Sequence, residues 1–213
     1  MEFQNRVLLA GMVTGVESNM LWMSTTEVAQ NRREYTQAHE ITGTKKMFKD
    51  IKAGERVKMF GKFGTKTETR TDGSEFPKTI IIADRIEPHS DAKDINVGRL
   101  QGLAHRSFEF YNYTEGSGAY GNALVAIEDE VFSATAFRNT AHWLNRDFLE
   151  GSEVKLQGRV RTRPPYTDRN GDIQEQVEIV VDIRKSKVLK KAPDYDPLDE
   201  FDQAEEKQAS AGI

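Results

Sequence analysis

Cationic side chains occupy most of the alternate positions in two separate segments of the sequence, without an acid among those positions. In residues 151–163 they alternate with Val154, Leu156 and Val160, and a period of two is typical of a β-strand with one buried and one exposed face. The exposed faces of the two segments comprise ten positions, seven basic and none acidic: Lys58, Phe60, Lys62, Gly64, Lys66, Lys155, Gln157, Arg159, Arg161 and Arg163. We call these positions the two basic stripes. A solvated strand face usually mixes both signs, so the stripes predict a surface that binds a polyanion.

Aromatic side chains lie close to the basic stripes. Proteins that bind single-stranded nucleic acid combine cations along a groove with rings on which the bases stack. Trp22 and Phe60 are the candidates for stacking in the first half of the chain, Tyr35 is a further one, and Tyr166 follows two prolines in the second half. Packing in the core is the alternative for each ring.

Motifs that would indicate an enzyme are weak. Gly116, Gly118 and Gly121 satisfy the G-x-G-x-x-G spacing, but a predicted strand follows where a dinucleotide site needs a helix. The four histidines lack metal-ligand spacing, the chain has no cysteine, and no G-x-x-x-x-G-K-[ST] phosphate loop occurs. We therefore predict no catalytic residue, no metal site and no cofactor, in a protein that is not an enzyme.

A repeat relates the two stripe segments. Five residues recur at an offset of 97: Gly54, Val57, Lys58, Gly61 and Thr65 match Gly151, Val154, Lys155, Gly158 and Thr162. Upstream, Asn5, Leu9 and Gly11 match Asn96, Leu100 and Gly102. Two units of about a hundred residues follow, a common domain size. We predict domains at residues 1–91 and 92–191, followed by a tail at 192–213.

Each unit contains the same order of predicted elements. In the first, strands at 5–16, 20–28 and 35–42 precede a short helix within 45–51 and a hairpin of two strands. In the second, strands at 95–104, 122–127 and 131–137 precede a helix at 141–149 and a second hairpin, with an aromatic-rich extension at 107–113. Five strands with a helix between the third and fourth fit the oligonucleotide-binding (OB) barrel. The predicted fold is all-β, with two tandem five-stranded OB barrels.

Residues 122–189 resemble the bacterial single-stranded DNA-binding protein family. The resemblance rests on NALVAIE, the AHWLNRDFL helix, EGSEVKLQGRVRTR, and YTDRNGD followed by VEIVVDIRKSKVL. NRVLLAGMVTG near the start is similar to that family's opening strand. The resemblance implies stacking aromatics at Phe132 and Tyr166. At a third stacking position it places Arg138, whose guanidinium plane can also stack. The family works as four barrels, which for a two-barrel chain implies a homodimer.

The charge of the chain is unevenly distributed. The net charge is −4, and residues 192–213 alone carry −6 because they hold seven acids and one base, which leaves the rest at +2. This tail contains two prolines and few residues that could pack, so we predict that it is disordered. The resemblance implies that an acidic tip docks on replication and repair proteins. The residues assigned to that contact are Asp199, Glu200, Phe201 and Asp202.

These observations together predict a function. We expect a single-stranded DNA-binding protein that coats and protects strands in replication, recombination or repair, largely without sequence preference. One alternative is an OB-fold adaptor that binds proteins mainly through its acidic tail. Another is an RNA- or tRNA-binding protein, since the barrel serves both uses. No apolar run reaches about 18 residues and the start lacks a signal-peptide pattern, so the expected location is cytoplasmic, associated with the nucleoid.

Overall fold

Five strands and one short helix build the first barrel. A computed structural model describes residues 2–28, 34–70, 72–112, 118–162, 166–167, 173–174 and 177–192. The first elements are β1 (Gln4–Glu17), β2 (Met20–Val28), β3 (Glu34–Thr42), α1 (Lys45–Phe48), β4 (Arg56–Thr69) and β5 (Glu75–Pro88). β1 pairs with both β2 and β4, and β3 pairs in parallel with β5. These pairings close the barrel in the order β1-β2-β3-β5-β4, which confirms the OB fold.

The second barrel repeats this topology with three additions. Its elements are β6 (Ile95–Ala104), β7 (Glu109–Asn112), β8 (Ala119–Ile127), β9 (Glu130–Phe137), α2 (Asn139–Asp147), β10 (Glu153–Thr162), β11 (Tyr166–Thr167), β12 (Ile173–Gln174), β13 (Val177–Val181), a 3₁₀ turn (Ile183–Lys185) and β14 (Lys187–Lys190). β6, β8, β9, β13 and β10 close the barrel. β7 is added beside β8, β14 is added beside β10, and β11 pairs with β12.

The two barrels are joined because β1 also pairs with β6. The pairing is antiparallel, with Asn5 opposite Leu100 and Leu9 opposite Asn96. Asn5 and Leu9 are the repeat partners of Asn96 and Leu100, so an approximate twofold axis relates the barrels at this seam. The first barrel ends at Pro88 and the second begins at Ile95, while the domain boundary between residues 91 and 92 stays a prediction.

The cores of the two barrels touch at the seam. The rings of Phe63 in the first barrel and Phe132 in the second lie 6.1 Å apart. A Cβ atom at Gly98 would lie 2.9 Å from Cγ1 of Ile179 and 3.1 Å from Cζ of Phe63. Glycine at this position of β6 therefore allows the barrels to approach closely.

The repeated asparagines fasten the first strand of each barrel to its fourth strand. Asn5 donates from Nδ2 to the carbonyl of Phe63 (2.8 Å) and accepts from the Phe63 N–H (2.9 Å). Asn96 makes the same two bonds with Val160, at 3.0 and 2.7 Å. Since Phe63 and Val160 are separated by the repeat offset of 97, the repeat conserves a hydrogen-bonded clamp as well as an apolar pattern.

Further polar contacts hold the barrels in one arrangement. The Asp94 carboxylate accepts from the backbone N–H of Thr26 at 2.7 Å and pairs with Arg56. On the far side of the seam, Thr65 donates its N–H and hydroxyl to Glu130 at 2.9 and 2.6 Å. The connection that leads into β6 and the start of β9 are therefore both tied to the first barrel.

Within the described ranges, no helix has the length and apolar character needed to cross a membrane. The same ranges contain no group of three histidine, aspartate or glutamate side chains placed to hold a metal ion.

Candidate nucleic-acid interface

The basic stripes lie on the outer face of β4 and β10. Val154, Leu156 and Val160 are buried, as the alternation predicts. β1 and β6 lie between the two stripe strands, in the order β4-β1-β6-β10. Arg6 of β1 lies directly opposite Arg99 of β6. The described members of the two stripes and these two arginines therefore form a single cationic sheet face that extends across both barrels.

The stripe residues of β4 are partly engaged with neighbours. Lys58 pairs with Glu87 at 3.9 Å. The Phe60 ring lies between two cations, with Lys58 Nζ at 5.4 Å and Arg85 Cζ at 4.3 Å from its centroid. Lys62 and Lys66 are exposed. The Phe60 ring is therefore half-buried and partly covered by cations, and Arg85 is a neighbour that the sequence did not indicate.

The stripe residues of β10 differ from one another in environment. Lys155 is half-buried. Arg159 Nη1 lies 3.9 Å from Glu27 Oε2, across the barrel junction. Arg161 pairs through Nε with the buried Glu178 carboxylate at 2.9 Å, and its guanidinium lies 5.3 Å from the Phe137 ring centroid. Because Glu178 neutralises its charge, Arg161 positions Phe137 more than it offers a free cation.

One stacking assignment is wrong. Phe132 is 1% exposed and belongs to the core, where it packs beside Phe63. The physical reason is the parity of β9, because Phe132, Ala134 and Ala136 all point into the barrel. A ring in that position has no face available to a base.

Trp22 and Arg138 are accessible from the surface. Trp22 is half-buried on the outer face of β2, and a Cβ on Gly15 would lie 3.3 Å from its Cε3 atom. Arg138 is exposed at the start of α2, with a φ of 52°. Its backbone N–H donates to the carbonyl of Ala119 at 2.6 Å. Arg163, the Tyr166 side chain, and the tail residues Asp199, Glu200, Phe201 and Asp202 lie outside the described residues.

The structure adds a row of aromatic rings that the sequence did not assign as a site. Tyr111 of β7, Tyr120 of β8 and Phe137 of β9 lie directly opposite one another across three strands. The Tyr111 and Tyr120 rings stack, with centroids 5.0 Å apart and planes 20° from parallel. Tyr111 is 44% exposed and Phe137 is 39% exposed. We call these three residues the aromatic row.

The sequence contains a signal from which the aromatic row could have been predicted. Residues 107–113 are aromatic-rich, and Phe137 immediately precedes Arg138. Period two places Phe137 on the face of β9 opposite to Phe132, so only one of the two rings can be in the core. The remaining member, Tyr120, lies near the start of β8, where buried and half-buried side chains alternate. Its two neighbours, Ala119 and Gly121, are buried.

Two ionisable groups, the buried His39 and the half-buried Glu27, lie near the barrel junction. Burial lowers the pKa of His39 to about 4, and its Nε2 atom is hydrogen-bonded to the Thr25 hydroxyl at 2.8 Å. Burial raises the pKa of Glu27, while the positive charges of Arg159 and Lys185 act in the opposite direction. Thr25 also accepts from Asn96 at 3.3 Å, which links His39 to the seam.

Comparison with solved structures supports the fold. The wild-type single-stranded DNA binding protein from Thermus aquaticus is 16% identical, with a TM-score of 0.68, over 92% of this chain and 98% of that chain. A deletion mutant of the same protein is 18% identical, with a TM-score of 0.67 and the same coverage. Likeness at this identity shows a shared OB fold. No protein-family model matches the sequence, and no curated protein does.

Proposed function

We propose that this protein binds single-stranded DNA, largely without sequence preference. The observation that carries the proposal is the aromatic row beside the β10 stripe, on a barrel whose fold commonly binds oligonucleotides. Both components of a single-strand site, stacking rings and cations, thus occur on one barrel, where only β13 separates β9 from β10 and Arg161 of β10 lies 5.3 Å from the Phe137 ring. The structural likeness to a protein named for this activity supports the same conclusion.

The geometry suggests how the two components share the binding. Bases can stack on Phe137 and Tyr111, and this contact tolerates any base because every base has a π-face. Lys155 and the exposed cations of β4 neutralise phosphates, which releases condensed counterions and makes the affinity salt-dependent. A duplex keeps its bases stacked on one another, so it can use the cations but not the rings.

A titration with three nucleic acids tests the proposal. Fluorescence anisotropy with labelled oligothymidylate, a matched RNA and a matched duplex at one salt concentration should show tight binding of the DNA strand alone. The site should cover about 8 to 32 nucleotides if both barrels take part, at about 4 to 16 for each. Equal affinity for duplex and single strand would overturn the proposal, and tighter binding of RNA would assign the barrels to RNA.

We further propose that the protein acts on strands exposed in replication, recombination or repair. The family resemblance supports a homodimer with four barrels, and light scattering after gel filtration measures that mass directly. The resemblance also supports docking of the acidic tail on replication or repair proteins. Binding of partner proteins to the isolated tail peptide would favour the adaptor role over direct DNA protection.

A further inference from the structure

The two barrels meet at a cleft beside the end of the β2–β3 hairpin. Glu27 of β2 and Tyr35 of β3 are direct cross-strand partners there. Two cavities, of about 380 and 820 Å³, share Glu27, Arg184 and Lys185 in their walls. Arg159 lines the first cavity and Lys93 lines the second. We call these two connected cavities the inter-barrel cleft.

Positive charge predominates in the inter-barrel cleft. Five bases and three acids line the two cavities, an excess of two positive charges. Side-chain exposure is 76% for Arg184 and 56% for Lys185, so both heads are open to solvent. Asp182 lies 3.3 Å from Arg184 and 4.0 Å from Lys185, and one carboxylate cannot neutralise both. The cleft therefore has the charge to bind an anion.

Glu27 is the acid in the cleft that lacks a close partner. Its only ion pair within the described residues is to Arg159, at 3.9 Å, longer than a charge-assisted hydrogen bond. Burial of the carboxylate is unfavourable, and this raises its pKa despite two neighbouring cations. An anion with more oxygens than a carboxylate would therefore pair with the cations at this position more completely than Glu27 does.

Tyr35 adds a stacking surface at the same place. It is 48% exposed, and the Arg159 guanidinium lies 6.0 Å from the centroid of its ring. An exposed ring beside a cation is the combination that single strands require. The position of Tyr35 between the barrels suits a strand that passes from one to the other.

We infer that the inter-barrel cleft is where one DNA strand crosses between the barrels, with phosphates on Arg159, Arg184 and Lys185 and a base on Tyr35. Glu27 is an internal counter-ion for Arg159, and a phosphate of the bound strand displaces it from the guanidinium. This inference rests on the proposed DNA binding and adds a specific path to it. It makes the cleft important only for strands long enough to reach both barrels.

The first test removes the negative charge with Glu27→Gln. Wild type and variant are titrated at low salt with oligothymidylates of about 8 nucleotides, enough for one barrel, and about 30 nucleotides, enough for two. Coulomb repulsion between a carboxylate and a phosphate about 6 Å apart in water predicts roughly threefold tighter binding of the long strand. The short strand should bind unchanged. Asp50→Asn, an exposed acid after α1, is the matched control and should alter neither affinity.

The second test removes two cations with the double variant Arg184→Ala and Lys185→Ala. For the long strand, the logarithm of the binding constant falls linearly with the logarithm of the salt concentration. Loss of two phosphate contacts should make this slope shallower by about 1.4, at 0.7 for each contact. The short strand should keep its salt dependence, and the control pair Lys45→Ala and Lys46→Ala on α1 should match wild type for both lengths. Thermal melting by circular dichroism checks that each variant is folded.

The outcomes separate this inference from the proposed function. If wild type binds both strands and neither cleft variant affects the long one selectively, the crossing point lies elsewhere and the inference is wrong. If wild type binds neither strand, the proposed function itself is wrong. Weaker binding of the long strand by Glu27→Gln would contradict the counter-ion role.

Discussion

Replacement of the buried His39 by glutamine should remove part of the acid sensitivity of the fold. His39 is 1% exposed, and burial alone lowers its pKa from 6.5 to about 4. Within the described residues, its Nδ1 atom has no hydrogen-bond partner. Because the ring is buried next to Thr25, which is hydrogen-bonded to Asn96 of β6, protonation would put an uncompensated charge beside the seam between the barrels.

The size of this effect follows from linkage. The unfolded chain takes up the His39 proton below about pH 6.5, whereas the folded chain takes it up only below about pH 4. The stability contributed by the neutral ring is thus complete above pH 6.5 and is lost as the pH falls. At 1.36 kcal/mol for each pH unit, the full difference is about 3 kcal/mol, of which about 2.5 kcal/mol is lost by pH 4.5.

Denaturant unfolding measures the effect. The free energy of unfolding of wild type and His39→Gln is determined at pH 7.5 and pH 4.5 from tryptophan fluorescence, with the exposed His105→Gln as the matched control. Wild type and control should lose about 2.5 kcal/mol more than His39→Gln between the two pH values. Equal losses in all three proteins would refute the linkage between His39 and stability.

Four further predictions concern binding and stability. Phe137→Leu should weaken single-strand binding by about 1 to 3 kcal/mol, because a stacking surface is lost. The salt dependence of binding should not change, because no phosphate contact is removed. Phe132→Ala should instead lower the free energy of unfolding by about 3 to 5 kcal/mol, because it leaves a cavity in the core. Asn96→Ala leaves the buried N–H and the carbonyl of Val160 without their hydrogen-bond partner. The free energy of unfolding, measured by denaturant titration, should therefore fall by about 1 to 3 kcal/mol for each of these two groups. An unchanged midpoint of denaturant unfolding would contradict the clamp. Removal of residues 192–213 should tighten DNA binding at low salt and have less effect as salt rises. The reason is that the tail carboxylates compete with DNA phosphates for the cations, and salt screens this competition over a Debye length of about 10 Å at 0.1 M. Parallel salt titrations of the full and truncated chains would contradict this competition.

The sequence alone was sufficient for the fold class and for one component of the site. Alternation with a period of two specifies which side chains share a strand face, whatever the strand pairs with. The alternating faces around Lys155 and Arg159 could therefore be assigned before any tertiary contact was known. The repeat offset of 97 then made a second barrel of the same kind the simplest interpretation, and the structure has that barrel.

The assignment of the aromatic rings needed the tertiary structure. Phe132 and Phe137 lie on opposite faces of β9, and both are rings that could either pack or stack. Parallel pairing of Ile179 with Ala134 closes the barrel and directs Phe132 inward. The sequence could show that the two rings differ in environment, but only closure of the barrel decided which one is exposed.

Contacts between distant segments were also decided by tertiary structure. Arg161 and Glu178 meet because the register of β10 and β13 places them directly opposite, and no local pattern determines that register. Glu27 and Arg159 lie on different barrels and come within 3.9 Å only through the way the barrels pack. The β1–β6 pairing sets that packing, so the charge that Arg159 and Arg161 offer to a ligand depends on contacts made far away in the chain.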